Sequence, residues 1–210
     1  MKYTVTEQQP ENPAWTSTPE GNEGNIPEGD DPAKVTFTNT YTPKPVEYEL
    51  TAKKTLVGVG GADAPELEEG QFTFILRGDK TGVPMPEGST LNETLGVWEK
   101  TVQNGAVAAG GDFAPINFGK MKYEHAGEYR YVIVEQQVEE GQFATDPTRY
   151  EAVVTVSDTD GVLGVSGVKY RVINDSDPSQ GTDAAEVAFE NDFTPGSATE
   201  YFQVFKLIQN

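Results

Sequence analysis

Cysteine is absent from the 210 residues, so a disulfide framework, a thiol nucleophile and cysteine-bound zinc are all excluded. Basic residues are scarce: 15 Lys and Arg against 34 Asp and Glu leave a formal net charge of −19. Phosphate binding needs clustered Lys and Arg, so neither nucleic acid nor an anionic membrane surface is an expected partner. The single histidine, His125, sits beside Ala126-Gly127 in an expected turn, without the partners of a catalytic triad or a histidine metal site. No apolar run approaches the ~18 residues of a membrane-spanning helix, so no membrane span is expected in this chain. Met1–Val5 has no apolar signal core and reads as the middle of a strand, which suggests a piece of a longer protein.

What the chain has in quantity is Gly (22) and Pro (14), between stretches of Val, Thr, Tyr and Phe. That composition favours short strands joined by turns. Strands are expected at Val46–Leu56, Gln71–Arg77, Val97–Val102, Phe113–Phe118, Glu128–Glu135, Tyr150–Val156, Val162–Val172 and Glu186–Phe193. Residues 81–95 read as a loop, with at most a short helical turn. Asp158-Thr159-Asp160-Gly161 reads as a tight hairpin turn, which is a better account of its acids than a calcium site. The acidic stretches Glu28-Gly29-Asp30-Asp31 and Asp175-Ser176-Asp177 read most simply as solvated loops, with weak calcium affinity as the alternative. The expected fold is all-β, an antiparallel Ig-like or Cna-B-like β-sandwich.

An internal echo divides the chain. Tyr3–Gln9 matches Tyr131–Gln137 at an offset of 128, and Val35–Pro43 matches Val187–Pro195 at an offset of 152. The first copy thus lacks 24 residues (152 − 128) present in the second, about one hairpin. Residues 1–43 are expected to be the back end of one module and residues 44–195 a complete one. Pro43-Lys44-Pro45 forms a stiff joint between them. Residues 196–210 are either the first strand of a further module or the scar of a truncation.

Residues two apart in a strand share a face. Leu50, Ala52, Lys54 and Leu56 therefore point together, as do Tyr129, Tyr131, Ile133 and Glu135, and Val187, Phe189, Asn191 and Phe193. An amine, a carboxyl and a carboxamide aimed at an apolar interior are costly unless they meet. Meeting, they can react: the lysine amine attacks the asparagine amide beside a protonated glutamate, forming an isopeptide bond and releasing ammonia. The plain alternative has Lys54 reaching water, Glu135 capping a strand edge and Asn191 in a turn. Lys53 competes for the role of amine, but its face carries Glu49, Thr51 and Thr55, which suits solvent.

Ala52–Gly58, Gly70–Phe74, Gly127–Glu135 and Phe189-Glu190-Asn191, in that order, resemble the streptococcal pilin isopeptide-linkage repeat. The resemblance covers essentially all of residues 46–195. It implies a module of a pilus shaft or adhesin stalk, exposed on the Gram-positive cell wall with its anchor elsewhere. Its partners would be other repeats of the same surface protein or pilus. Lys54 would be the linking lysine, Glu135 the catalytic glutamate and Asn191 the linking asparagine. Glu135 is expected to donate to the Asn191 carbonyl oxygen and to relay a proton to the departing ammonia. Residues 1–43 resemble the C-terminal half of a related Cna-B-like or pilin repeat. There Glu7 and Asn39 match, but the lysine strand is missing, and Lys206 in the tail is a conceivable complement. Lys44 loosely resembles the lysine through which sortases join pilins, although linker lysines are common.

A second reading is an adhesin head that binds a host protein or glycan through residues 78–111. Trp98 would be a contact there, or else a core or edge packing residue. Nothing points to an enzyme acting on an external substrate, to a metal or to a cofactor.

Overall fold

In a computed structural model of the chain, residues 1–26, 29, 32–78, 82–137, 141–174 and 181–196 are described. Lys206 and the rest of residues 197–210 lie outside them, as do Glu28, Asp30, Asp31 and residues 175–180. The described residues are almost entirely β, with one 3-10 turn at Val59–Gly61.

Two sheets form the sandwich. One contains β6 (Thr73–Gly78), β7 (Thr90–Asn92), β8 (Val97–Gln103), β10 (Gly127–Glu135), β12 (Arg149–Thr159), β13 (Val162–Val172) and β14 (Thr182–Ala184), in the spatial order 14-13-12-10-6-8-7. The other contains β5 (Val46–Gly58), β9 (Ala114–Tyr123), β11 (Phe143–Ala144) and β15 (Ala188–Phe193), in the order 11-15-5-9. Alternation along each strand sends one set of side chains inward. Leu50, Phe74, Leu76, Ile116, Phe118, Tyr131, Ile133, Val154 and Phe189 thereby form one buried cluster drawn from both sheets. Phe189 packs at 5.2 Å from the Phe74 ring and 5.3 Å from the Tyr150 ring, the latter edge-on.

Among the described residues, every pair of strands is antiparallel except one. The last strand, β15, runs parallel to the first, β5, with Phe189 opposite Lys54 and Asn191 opposite Leu56. A parallel pair cannot be joined by a hairpin. Here the whole intervening module makes the connection, so its two ends lie side by side.

Several boundaries differ from the sequence expectation. The strand expected to stop at Phe118, before Gly119, continues as β9 to Tyr123. Gly119 has φ +91° and donates its N–H to the Glu49 carboxylate beside a register shift in β5. A bulge, not a strand end, explains that glycine. Within the expected loop 81–95, β7 forms a short edge strand, and Asn92 Oδ1 accepts from the N–H groups of Thr94 and Leu95 to close the turn into β8. The Asp160-Gly161 turn is as expected: Thr159 pairs with Val162, and φ is +51° and +84° at the two loop residues.

Residues 1–43 form two small ribbons. β1 (Lys2–Thr4) pairs with β3 (Glu23–Asn25), and β2 (Trp15–Glu20) pairs with β4 (Thr36–Tyr41). Most of their side chains are exposed, Trp15 and Val5 each at 40%. The ribbons meet the sandwich at the β12–β13 turn. Tyr41 Oη donates to Asp158 at 2.7 Å, the Lys44 N–H donates to Gly161 O at 2.7 Å, and the Leu163 N–H donates to Lys44 O at 3.0 Å.

Candidate functional site

Lys54 on β5, Glu135 at the end of β10 and Asn191 on β15 converge between the two sheets. β5 and β15 are neighbours, so their inward residues adjoin, and β10 faces them from the opposite sheet. Lys54 and Asn191 are fully buried, and Glu135 is 8% exposed. Asn191 Nδ2 donates to Glu135 Oε1 at 2.8 Å, and Lys54 Nζ lies 3.5 Å from the same oxygen. Among the described residues the Nζ makes no hydrogen bond of good geometry, and it sits 4.7 Å from the Phe72 ring centroid. Lys53, by contrast, pairs with Glu186 at 2.6 Å on the half-exposed outer face.

Burial dominates the titration of both charged groups. It pushes the Lys54 amine down to about 8, against a smaller opposing pull from Glu135. It also holds the Glu135 carboxyl above its ordinary value, despite Lys54 and the hydrogen bonds from Asn191 and Asp146. Both groups are driven toward their neutral forms, because a dry interior penalises charge.

Asp146 is a site residue that strand periodicity did not reveal. Its backbone N–H lies 3.0 Å from Glu135 Oε2 and 3.0 Å from Asn191 Oδ1. Its carboxylate is engaged on both oxygens, accepting from the Thr148 N–H at 2.8 Å and the Glu190 N–H at 2.8 Å. The segment between β11 and β12 is thereby pinned to β15. A backbone N–H can only face an oxygen, so Asp146 fixes the orientation of the Asn191 amide. This geometry differs from the expected one. Glu135 meets the nitrogen of the amide, and Asp146 holds its carbonyl oxygen. A cleft of about 510 Å3 lined by Glu135, Gln136, Asp146 and Thr148, among others, opens beside the acid.

In the N-terminal ribbons, Asn39 Nδ2 donates to Glu7 Oε1 at 2.8 Å, the same bond that joins Asn191 to Glu135. Ser17, opposite Asn39 across the β2–β4 pair, donates to the other Glu7 oxygen. These bonds, Ser17's first, hold the Glu7 carboxyl below its ordinary value. His125 is exposed, with its carbonyl accepting from Tyr129 Oη. Trp98 lies 39% exposed on the β7–β8 edge, opposite Leu91. Asp158 Oδ1 accepts from the Gly161 N–H, a turn-closing bond.

The two-sheet β domain thus holds an amine, a carboxyl and a carboxamide together in its core. The family described as FctA, a Spy0128-like isopeptide containing domain, matches residues 50–194. The chain belongs to this family, whose members are isopeptide-containing domains of Gram-positive pilins. Among solved structures it is similar to the major pilin protein T-13 of Streptococcus pyogenes: 19% identity, 71% of this chain and 53% of that one covered, TM-score 0.43. A second S. pyogenes major pilin gives 20% identity, 69% and 50% coverage, and a TM-score of 0.42. The chain spans about half the length of these pilins. No curated protein matches it.

Proposed function

We propose that residues 44–195 form a self-crosslinking structural module of a pilus shaft or adhesin stalk on a Gram-positive surface, tied by a Lys54–Asn191 isopeptide bond. The observation that carries this reading is that Lys54 Nζ and Asn191 Nδ2 lie at one oxygen of a buried acid, 3.5 and 2.8 Å away. The attacking and departing nitrogens thus share a proton relay. The neutral Lys54 amine adds to Asn191 Cγ, and the Asp146 N–H stabilises the oxyanion that develops on Oδ1. Glu135 takes one proton from Nζ and delivers one to Nδ2. The Cγ–Nδ2 bond then breaks, the Nζ–Cγ bond remains, and ammonia leaves through the adjoining cleft. One turnover consumes the site.

The bond closes a loop of 137 residues (191 − 54). Because β5 and β15 hold the two ends of the module side by side, tension applied at its ends would pass through the crosslink and bypass that loop. Single-molecule pulling from the termini tests this role. Unfolding of the linked module should withhold the contour of the 137-residue loop, ~480 Å at full extension, and Lys54→Met should release it. Release of that length from the unmodified protein would defeat the proposal.

A further inference from the structure

Four polar or charged side chains are buried among the described residues: Lys54, Glu135, Asn191 and Asn104. The first three form the site. Asn104, 2% exposed, stands outside it, directly after the last residue of β8. A buried carboxamide is costly unless its polar atoms are bonded, and here all of them are. Oδ1 accepts from the Phe72 N–H at 2.8 Å, and Nδ2 donates to Glu68 O at 2.7 Å and Gly105 O at 3.1 Å.

Its place in the ladder explains why a side chain is needed there. Phe74 and Thr73 pair with Val102 and Gln103, so Phe72 stands opposite Asn104 one step further on. The Asn104 N–H donates to Phe72 O at 3.2 Å, as a regular antiparallel pair requires. The return bond, from the Phe72 N–H, goes to Asn104 Oδ1 instead of the Asn104 carbonyl. That carbonyl is released to accept from the Gly70 N–H at 2.9 Å, where φ is +76°. The amide thus bends the chain out of the sheet without orphaning a backbone group. The next residue, Gly105, donates its N–H at 2.7 Å to the carbonyl of Pro115 on β9, beside the Ala114 that pairs with Lys54. The Asn104-Gly105 corner therefore ties the start of β6 to a strand that flanks the lysine.

Phe72 is what this corner delivers to the site. Its ring centroid lies 4.7 Å from Lys54 Nζ, and the ring meets Phe143 edge-on at 5.6 Å. The β6–β10 register ends at Phe74, so the Phe72 backbone is fixed from the β8 side, by Asn104. A ring over an amine acts in two opposing ways: its face attracts an ammonium, and its bulk excludes water. Burial is the larger influence on Lys54, ahead of the attraction of Glu135, Asp146 and Glu190, so the exclusion of water decides. We propose that Asn104 is a positioning residue for the crosslinking reaction, holding the Phe72 ring as the wall that keeps water from Lys54 Nζ. This rests on the Lys54–Asn191 chemistry proposed above. Asn104 acts through the ring and exchanges no proton. Without its amide the ring swings, water reaches the amine, the ammonium gains solvation, and less of the amine is neutral and able to attack. The charged groups that face Lys54 are Glu135 on β10, Asp146 before β12 and Glu190 on β15, and substitutions at Asn104 or Phe72 leave all three present.

The test is an NMR titration of the Lys54 side chain in Asn191→Ala, where the amine is not consumed, with and without changes at Asn104 and Phe72. Asn191→Ala alone should titrate at about 8. Adding Asn104→Ala should raise that midpoint by about 1 pH unit, toward the ordinary 10.5. Phe72→Leu should raise it as much or more, and the two together no further than Phe72→Leu, because Asn104 acts through the ring. Amide spectra of the same samples report whether each variant folds. Should Asn104→Ala not fold, Asn104→Ser, which keeps an oxygen for the Phe72 N–H, is expected to fold and to raise the midpoint by a smaller amount. With Asn191 restored, a freshly translated and refolded Asn104→Ala chain should lose ammonia about tenfold more slowly at pH 7, as the neutral fraction of the amine falls. A purely structural role would lower the melting temperature and leave the titration where it was. A folded Asn104 variant with an unchanged midpoint, or a double variant that exceeds Phe72→Leu, overturns the inference. Failure of the underlying chemistry would read differently: the unmodified protein would lose no ammonia, whatever the titrations show.

Discussion

Replacing Lys54 by Met removes the amine while keeping an unbranched side chain of similar length in the same pocket. A thioether beside the Phe72 ring is a favourable contact, so packing at the 4.7 Å amine–ring approach is largely conserved. Neither protein carries a charge at this fully buried position, because in the unmodified protein the amine is consumed by the bond. What remains is loss of the crosslink. Closing 137 residues lowers the entropy of the unfolded chain by an amount equivalent to ~5 kcal/mol, by the loop-closure relation used for disulfides. For a protein of this size each kcal/mol moves Tm by roughly 2–4 °C, so Lys54→Met should unfold about 10–20 °C below the unmodified protein. Thermal unfolding followed by circular dichroism, on samples of known intact mass, measures this. If the unmodified protein is one ammonia light and yet Lys54→Met melts within a few degrees of it, the crosslink is not what stabilises the module, and the entropic argument fails.

Other perturbations separate the roles at the site. Glu135→Gln retains the shape of the acid but cannot relay protons, so bond formation after refolding should slow by at least ~100-fold, read as the rate of ammonia loss. Asp146→Ala frees the Thr148 and Glu190 N–H groups from their acceptor but keeps the Asp146 N–H, so crosslinking should be slower without being abolished. Asp146→Asn, which keeps an acceptor, should restore part of the rate. In Asn191→Ala the amine cannot be consumed and its titration becomes visible. The Lys54 amine titrates at about 8 when folded and near its ordinary 10.5 when unfolded, so the unfolded state binds more protons between those values. Stability should therefore rise across that interval by up to ~3 kcal/mol, with the burial cost present in full below it. Glu135, held above 4.5, acts in the opposite sense, and its contribution falls away as the pH climbs through its raised value. Denaturant titrations across pH measure both trends, and a flat profile would contradict the burial argument.

The inward faces of β5, β10 and β15 were legible in the sequence because period-two alternation set Lys54, Glu135 and Asn191 among large apolar residues. Their encounter needed more, since nothing local records that the first and last strands run side by side in parallel. Asp146 was hidden for a related reason. Its contribution is a backbone N–H in a connection without periodicity, and any residue but proline carries that group. The orientation of the Asn191 amide followed from Asp146 and was equally out of reach. Gly119 misled because a glycine can end a strand or bulge it, and only the Glu49 carboxylate waiting opposite decides. The short strands β7, β11 and β14 have two or three residues each, too few for any alternation to register.

The most direct test of the central claim is the intact mass of the folded, unmodified protein, followed by proteolysis and fragment sequencing. The expected result is a monomer one ammonia lighter than its sequence, with the peptide containing Lys54 joined to the one containing Asn191. A monomer of full sequence mass, or a link that joins any other pair of residues within it, would contradict it.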